Sequence, residues 1–248
     1  MSPRVSPRID RPLPAHRVNK ELEIQSIRRY AGAAMLSFFA VFSAGQSLGA
    51  EEMKLKLVDI KSIDPSIVIE LRYAGAHNVM HRPLYPPSTP ALIRPGVGKQ
   101  LADAQRFLRP YKFGLKIWDA YRPKFVQSQL WQFAHNDLYV ANPEIGLGSL
   151  HTWGVAVDAT LVDAWGKSVL MPTDFDEFTP AAMLRYPRMD SLIRSHLRLL
   201  QIAMGRNGFY GLRTEWWHFC TKKWKMYLAP HDVQLTQHWR QQEPGGKL

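Results

Sequence analysis

One cysteine, Cys220, stands in 248 residues, so no disulfide forms within the chain and the fold must rest on its own core. No cysteine follows the single long uncharged stretch, which argues against a lipid anchor of the lipoprotein kind. Internal repeats and low-complexity tracts are missing as well, and with them the repeat architectures. The formal charge is +11, yet no basic stripe interleaved with aromatics accompanies it, so nucleic acid is not an expected partner. Residues 1–50 carry seven Lys/Arg and three Asp/Glu, a net +4, which leaves +7 scattered along residues 51–248 apart from the run Lys222-Lys223-Lys225. A basic surface of this kind attracts anionic polymers in a general way.

Charge is absent from Tyr30 to Ala50, and Arg28-Arg29 stand immediately before that run. Ala31 to Ala44 is apolar; Ser47-Leu48-Gly49-Ala50 and then Glu51-Glu52 follow. A basic flank, a short hydrophobic stretch and small residues at a cleavage point are the layout of a secretory signal peptide. The rival is a single-span anchor, since the run approaches the ~20 residues that cross a bilayer. Its glycines, serines and alanines make it weakly apolar and favour cleavage, near Gly49 to Ala50. The expectation is an N-terminal extension and signal over residues 1–50 and one domain over 51–248. Such a protein is exported to the periplasm, with no stable membrane partner once the signal is removed.

Met53 to Ile60 alternates loosely, and Ser66 to Tyr73 reads as a strand. Residues 74–95, rich in Pro, Gly and His, read as a long loop. Its His77 and His81 have a spacing that binds metal on a helix, but the prolines exclude a helix and leave solvated loop histidines. Leu101, Ala104 and Leu108 give a short amphipathic helix from Lys99 to Leu108. Phe113, Leu115 and Ile117 alternate into a strand, and Pro123 opens a helix to about Tyr139 with Val126, Leu130, Phe133 and Ala134 inward. A further helix runs from Met189 to Met204 and ends at Asn207-Gly208. Helices and strands mix without regular βαβ alternation, which predicts an α+β fold: a single compact domain, mainly antiparallel sheet flanked by helices, with a metal site at the sheet face.

The chemistry concentrates in two stretches, Ser149-Leu150-His151-Thr152-Trp153-Gly154-Val155-Ala156-Val157-Asp158 and Glu215-Trp216-Trp217-His218. Val155 to Val162 is an apolar, β-branched run, hence a buried strand, and a carboxylate within it, Asp158, is costly unless paired or metal-bound. Gly154 lets the chain turn and carry the His151 imidazole back over that strand. Taken singly, each is a structural histidine or a carboxylate satisfied by backbone. Together His151, Asp158 and His218 make three ligands for one zinc ion per chain, with Glu215 as the free carboxylate that takes a proton from water. One geometric obstacle stands: Glu215 and His218 are three apart, and in a regular strand from Thr214 to Cys220 they face opposite ways. A bulge, a strong twist or a strand end between them is needed. In such a strand Cys220 shares a face with His218, where a small buried thiol is favoured over a fourth metal ligand, and Trp216 and Trp217 divide between core and pocket wall, one on each strand face. Arg122, alone a surface ion pair at a helix start, sits where a guanidinium beside the metal can bind an oxyanion. Asp119 and Tyr121 brace that turn, Asp119 orienting Arg122.

The pattern S-x-H-x-x-G-x-A-x-D, the later E-W-W-H and the block Trp118-Asp119-Ala120-Tyr121-Arg122-Pro123 resemble, in order and spacing, the VanX-type D-Ala-D-Ala dipeptidases among the zinc D,D-peptidases. The resemblance spans most of residues 60–220. It implies that Glu215 is the general base and Arg122 the electrophilic partner. It also implies that Ser149 contacts the dipeptide, that Tyr73 lines the pocket, and that Asp176 pairs with the substrate ammonium, a role for which Asp174 and Glu177 compete. The implied reaction is zinc-dependent hydrolysis of D-alanyl-D-alanine and similar D,D-dipeptides in cell-wall metabolism. Two alternatives stay open, a zinc D,D-carboxypeptidase acting on peptidoglycan stem peptides and a zinc-bearing binding module without activity. The oligomeric state is not indicated.

Overall fold

The computed structural model describes residues 56–136 and 138–227. The expected signal segment, the start of the Met53 stretch and the chain's last residues lie outside them. Among the described residues no helix is long and apolar enough to cross a membrane.

In chain order the elements are β1 (Val58–Asp59), α1 (Ile60–Ile63), β2 (Val68–Ile69), β3 (Leu92–Ile93), α2 (Pro95–Leu108) and β4 (Phe113–Asp119). Then come α3 (Lys124–Ala134), β5 (Ala156–Asp163), α4 (Ser191–Arg206), β6 (Phe209–Gly211) and β7 (His218–Thr221). Five strands form one sheet in the order β2-β4-β5-β7-β6, parallel only between β2 and β4, while β1 and β3 pair separately. The fold is α+β, a mainly antiparallel sheet with helices packed against it. Val157, Ala159 and Leu161 of β5 alternate with Asp158 and join a continuous core with Leu115, Ile117 and Phe219, and with Leu101 of α2 and Leu200 of α4. β5 is the central strand, buried almost throughout, which is why its sequence is so uniformly apolar and β-branched.

Several boundaries differ from the sequence expectation, each for a local reason. The strand expected over Ser66 to Tyr73 shortens to β2; the chain leaves the sheet edge and a 3₁₀ turn over Arg72–Ala74 tucks Tyr73 into the core. Helix α2 starts four residues early because Pro95 occupies its first turn, where a missing N–H costs nothing. Helix α3 stops at Ala134, not near Tyr139, with His135 in the left-handed region at φ 42°, and Phe133 is 54 % exposed rather than inward. Helix α4 is capped by Asp190, whose side chain accepts from the Leu192 N–H, and Gly208 at φ 90° turns the chain into β6.

The strand expected from Thr214 starts only at His218. Glu215, Trp216 and Trp217 form a turn closed by the His218 N–H donating to the Glu215 carbonyl at 3.2 Å. A strand end therefore separates Glu215 from His218, and the alternation that set them on opposite faces does not apply. For the same reason Trp216 and Trp217 do not straddle a strand; both are fully buried in the turn.

Candidate metal centre and active site

Strand register brings the polar groups together. Asp158 on β5 lies opposite Asp119 of β4 on one side and His218 of β7 on the other, so three polar side chains share one sheet face. A register shift between Ile117 and Asp119, a bulge at Trp118, makes that alignment possible. His151 reaches the same spot from the turn before β5, where Gly154 adopts φ 66°. Its Nδ1–H donates to the Ala120 carbonyl at 2.8 Å, which fixes the tautomer and leaves the Nε2 lone pair pointing inward.

Three donor atoms converge. His151 Nε2 is 3.1 Å from His218 Nδ1, His218 Nδ1 is 3.1 Å from Asp158 Oδ1, and Asp158 Oδ1 is 3.4 Å from His151 Nε2. A tetrahedral zinc with N and O ligands at ~2.0–2.1 Å has ligand–ligand edges of about 3.3 Å, so the triangle has the size of one face of that tetrahedron. The donor set fits zinc, and His151, Asp158 and His218 would hold it. Protonation favours the same use. Burial pushes the Asp158 carboxyl up, but the two imidazoles outweigh it and hold it far below the usual carboxylate range. Burial lowers His218, keeping its ring neutral and its lone pair available.

Around this triangle lies a cavity of about 230 Å³, smaller than the ~300–1,000 Å³ of drug-sized ligand sites. Glu215 lines it, is 7 % exposed, and its carboxylate has no hydrogen-bond partner among the described residues. Burial, with Asp158 and Asp176 nearby, raises its pKa well above the ordinary value. Arg122 also lines the cavity and is held on three sides. Its Nε donates to Asp119 Oδ2 at 2.8 Å, Nη1 to Gln127 Oε1 at 2.9 Å, and Nη2 to Asp158 Oδ2 at 3.5 Å. The guanidinium lies over the Tyr73 ring at 4.9 Å. Those bonds leave capacity on Nη1 for a further acceptor. Asp158 thus divides its oxygens, one toward the metal position and one toward Arg122.

The remaining expected residues fall into place unevenly. Asp119 is fully buried between Arg122 and the Tyr85 hydroxyl, as the orienting role requires, while Tyr121 is buried with its N–H donating to the Leu92 carbonyl. Ser149 lines the cavity; its Oγ accepts from the His151 N–H at 3.3 Å and keeps its own O–H to donate. Tyr73 is buried, and its hydroxyl donates to Asp176 Oδ1 at 3.3 Å. Asp176, at φ 57°, also accepts from the Val79 N–H at 3.2 Å; burial pushes its carboxyl up to about 7. Of the three competing acids, Asp176 lines the cavity, whereas Asp174 and Glu177 are exposed. Trp217 is a cavity wall and Trp216 packs edge-on against Trp118 at 5.5 Å in the core. Cys220 is buried outside the donor triangle, its thiol pushed up to about 11 by burial, and His77 and His81 are exposed loop residues.

Several contributors were missed, Tyr139 of the cavity lining among them. Gln127 is buried between Val126 and Leu130 on the inward face of α3, and an amide on an apolar face was a readable signal. Tyr85 and the backbone of Val79 come from the Pro-rich loop, which carries no such signal. Phe178 lies in the irregular segment after Asp176.

A family model described as D-ala-D-ala dipeptidase, of the M15 peptidases, matches residues 53–234. The chain belongs to that family. As a member of it the protein is a zinc metallopeptidase, and the triangle described above has the donors for that metal. The D-alanyl-D-alanine dipeptidase of Escherichia coli strain K12 is 34% identical over 164 residues, 66% of this chain and 83% of that protein. The Enterococcus faecalis protein of the same name is 26% identical over 140 residues, 50% of this chain and 69% of that protein. A third D-alanyl-D-alanine dipeptidase, from Synechocystis, is 25% identical over 221 residues, 70% of this chain and 83% of that protein.

Proposed function

We propose that this M15 family member hydrolyses D-alanyl-D-alanine and closely similar D,D-dipeptides, with His151, Asp158 and His218 as zinc ligands. The observation that carries the reading is the convergence of three donor atoms at 3.1–3.4 Å beside the Glu215 carboxylate, which has no hydrogen-bond partner among the described residues. Zinc bound there supplies Lewis acidity, polarising the scissile carbonyl and making water acidic enough to attack near neutral pH. Glu215 accepts the attacking water's proton and passes it to the departing amine; a carboxylate whose pKa is raised by burial is suited to both transfers. Arg122, fixed by Asp119 and Gln127 before substrate arrives, donates to the oxygen that gains charge, so no reorganisation is needed at that moment.

Selectivity follows from Asp176, which lines the same cavity. Asp176 is a carboxylate with two neutral donors and, among the described residues, no cation on it, and the free ammonium of a dipeptide supplies one. A longer or acylated peptide has no charge at that point and leaves Asp176 unpaired, which favours the dipeptidase reading over the carboxypeptidase one. Ser149 offers its O–H to the substrate near His151. The retention of Glu215 and Arg122 at the metal position disfavours a binding module without activity. We further propose that the protein works outside the cytoplasm on wall-derived dipeptides, on the strength of the layout of residues 1–50.

The test is metal analysis of the purified protein together with hydrolysis of all four Ala-Ala stereoisomers and of an acyl-capped tripeptide ending in D-Ala-D-Ala. Zinc near one per chain and cleavage restricted to free D-Ala-D-Ala support the reading. Release from the capped peptide alone transfers the assignment to the carboxypeptidase, and absence of any cleavage at full zinc occupancy leaves the binding module.

A further inference from the structure

Beside Asp176 the cavity wall is made by two rings from distant parts of the chain. Phe178 stacks on Tyr139 with centroids 4.6 Å apart and planes at 24°, and both residues line the cavity. Phe178 follows Asp176 through a tight turn in which its N–H donates to the Asp176 carbonyl at 3.1 Å, and the Thr179 N–H then donates to the Glu177 carbonyl at 2.8 Å. Tyr139 comes from just after α3, its N–H donating to the Asn136 carbonyl at 3.1 Å. From the metal position outward, contacts run through Arg122, which touches Asp158, to Tyr73 beneath its guanidinium, to Asp176 on the Tyr73 hydroxyl, and then to Phe178. The stacked pair therefore lines the cavity beside Asp176, the carboxylate that meets the substrate ammonium in the dipeptidase reading.

We propose that the Tyr139–Phe178 stack is a steric stop that ends the site one residue before the scissile bond, and so decides dipeptide against longer peptide independently of charge. This rests on the dipeptidase reading. Asp176 selects for a cation, but a cation alone does not exclude bulk, because a secondary ammonium is still charged. The stop is set by shape: two rings in van der Waals contact leave no gap between the segments that carry them. Removing either ring takes a large apolar volume from the wall, while Asp176 keeps its own bonds to Tyr73 and the Val79 N–H.

The experiment measures calorimetric binding to the zinc-loaded full-length protein carrying Glu215→Gln, which silences turnover. Three ligands are compared: D-Ala-D-Ala; N-propyl-D-Ala-D-Ala, which keeps the charge and adds bulk; and N-acetyl-D-Ala-D-Ala, which loses the charge. The intact wall should bind the N-propyl ligand at least about 30-fold more weakly than the free dipeptide, and Phe178→Ala or Tyr139→Ala should shrink that gap by about tenfold or more. Phe178→Leu, which keeps an apolar group without the stack, should fall between and carries the test if an alanine variant loses zinc. Asp176→Asn should weaken the free dipeptide and leave the N-propyl ligand rejected. Equal binding of both amines by the intact protein, or an unchanged gap in all wall variants, overturns the stop and leaves the dipeptidase reading standing. Failure of the free dipeptide to bind the zinc-loaded protein overturns both.

Discussion

The floor and the amine-side wall of the cavity are built by opposite means. The floor is sheet: Asp119, Asp158 and His218 are cross-strand neighbours on β4, β5 and β7, and their spacing follows from register. The wall is irregular chain: Val79, Tyr139, Asp176 and Phe178 come from three separated segments joined by one carboxylate and one ring stack. A floor of this kind has a single arrangement, since slipping one residue would turn every side chain to the other face. A wall of this kind can be re-cut residue by residue without disturbing the chemistry beneath it. The contrast separates reaction from selectivity, the first placed on rigid strands and the second on loops.

Breaking the floor should have the largest effects. His151→Ala removes one of three donors and leaves Asp158 and His218 with a gap; zinc content measured after dialysis should fall to near zero and turnover of D-Ala-D-Ala with it. Glu215→Gln should retain zinc near one per chain yet lower kcat by roughly three to five orders of magnitude, since it deletes the proton acceptor and leaves the donor triangle intact. Loss of turnover without retained metal would give Glu215 a structural role instead. Asp119→Asn addresses the support of the floor: the amide no longer offers Arg122 and the Tyr85 hydroxyl a charged partner, and kcat should fall about 10–100-fold with zinc retained.

The same contrast decides what could be read from the sequence. The floor was legible because strand and motif coincide: a β-branched run containing Asp158, a histidine seven residues before it and a glycine between them fix both the element and its chemistry. The α+β class and the helix ends at Asn207-Gly208 were legible for similar reasons, through caps and periodicity. The join between Glu215 and His218 was not, because a two-residue turn of tryptophans reads as strand by composition; β-propensity measures how aromatics pack on a half-buried surface, and a buried turn meets the same condition. The wall was least legible. Asp176 could not be told from Asp174 and Glu177 by position alone, and the Tyr139–Phe178 stack joins residues whose neighbours in the chain give no hint of each other. Non-local contacts between loops leave no periodic trace.

Breaking the wall should change selectivity more than rate. Asp176→Asn keeps shape and removes charge, so KM for D-Ala-D-Ala should rise about 10–100-fold with a smaller change in kcat, while capped peptides gain nothing. Initial rates over a range of dipeptide concentrations check this; a fall in kcat with KM unchanged would move Asp176 from binding to chemistry.

The smallest effect sharpens the comparison most, because it concerns the protein without ligand. Burial raises the Asp176 carboxyl to about 7 in the folded chain, against the ordinary 3.8. Between those values the folded state binds more protons than the unfolded one, so this group's contribution to stability falls as pH rises from about 4 to 7 and stays low above that. An asparagine at 176 does not ionise and carries no such penalty. Asp176→Asn should therefore melt roughly 2–5 °C higher than the native protein at pH 8, an advantage that vanishes near pH 4. Saturating D-Ala-D-Ala, whose ammonium stabilises the ionised carboxylate, should reverse the order at pH 8 when measured in the Glu215→Gln background. Such a site gives up stability to hold an unpaired charge ready for its substrate, whereas on the floor the buried Asp158 is already held ionised by two imidazoles and Arg122. A melting difference independent of pH would mean that Asp176 titrates alike in the folded and unfolded chain, and that holding its charge ready for the ammonium costs the fold little.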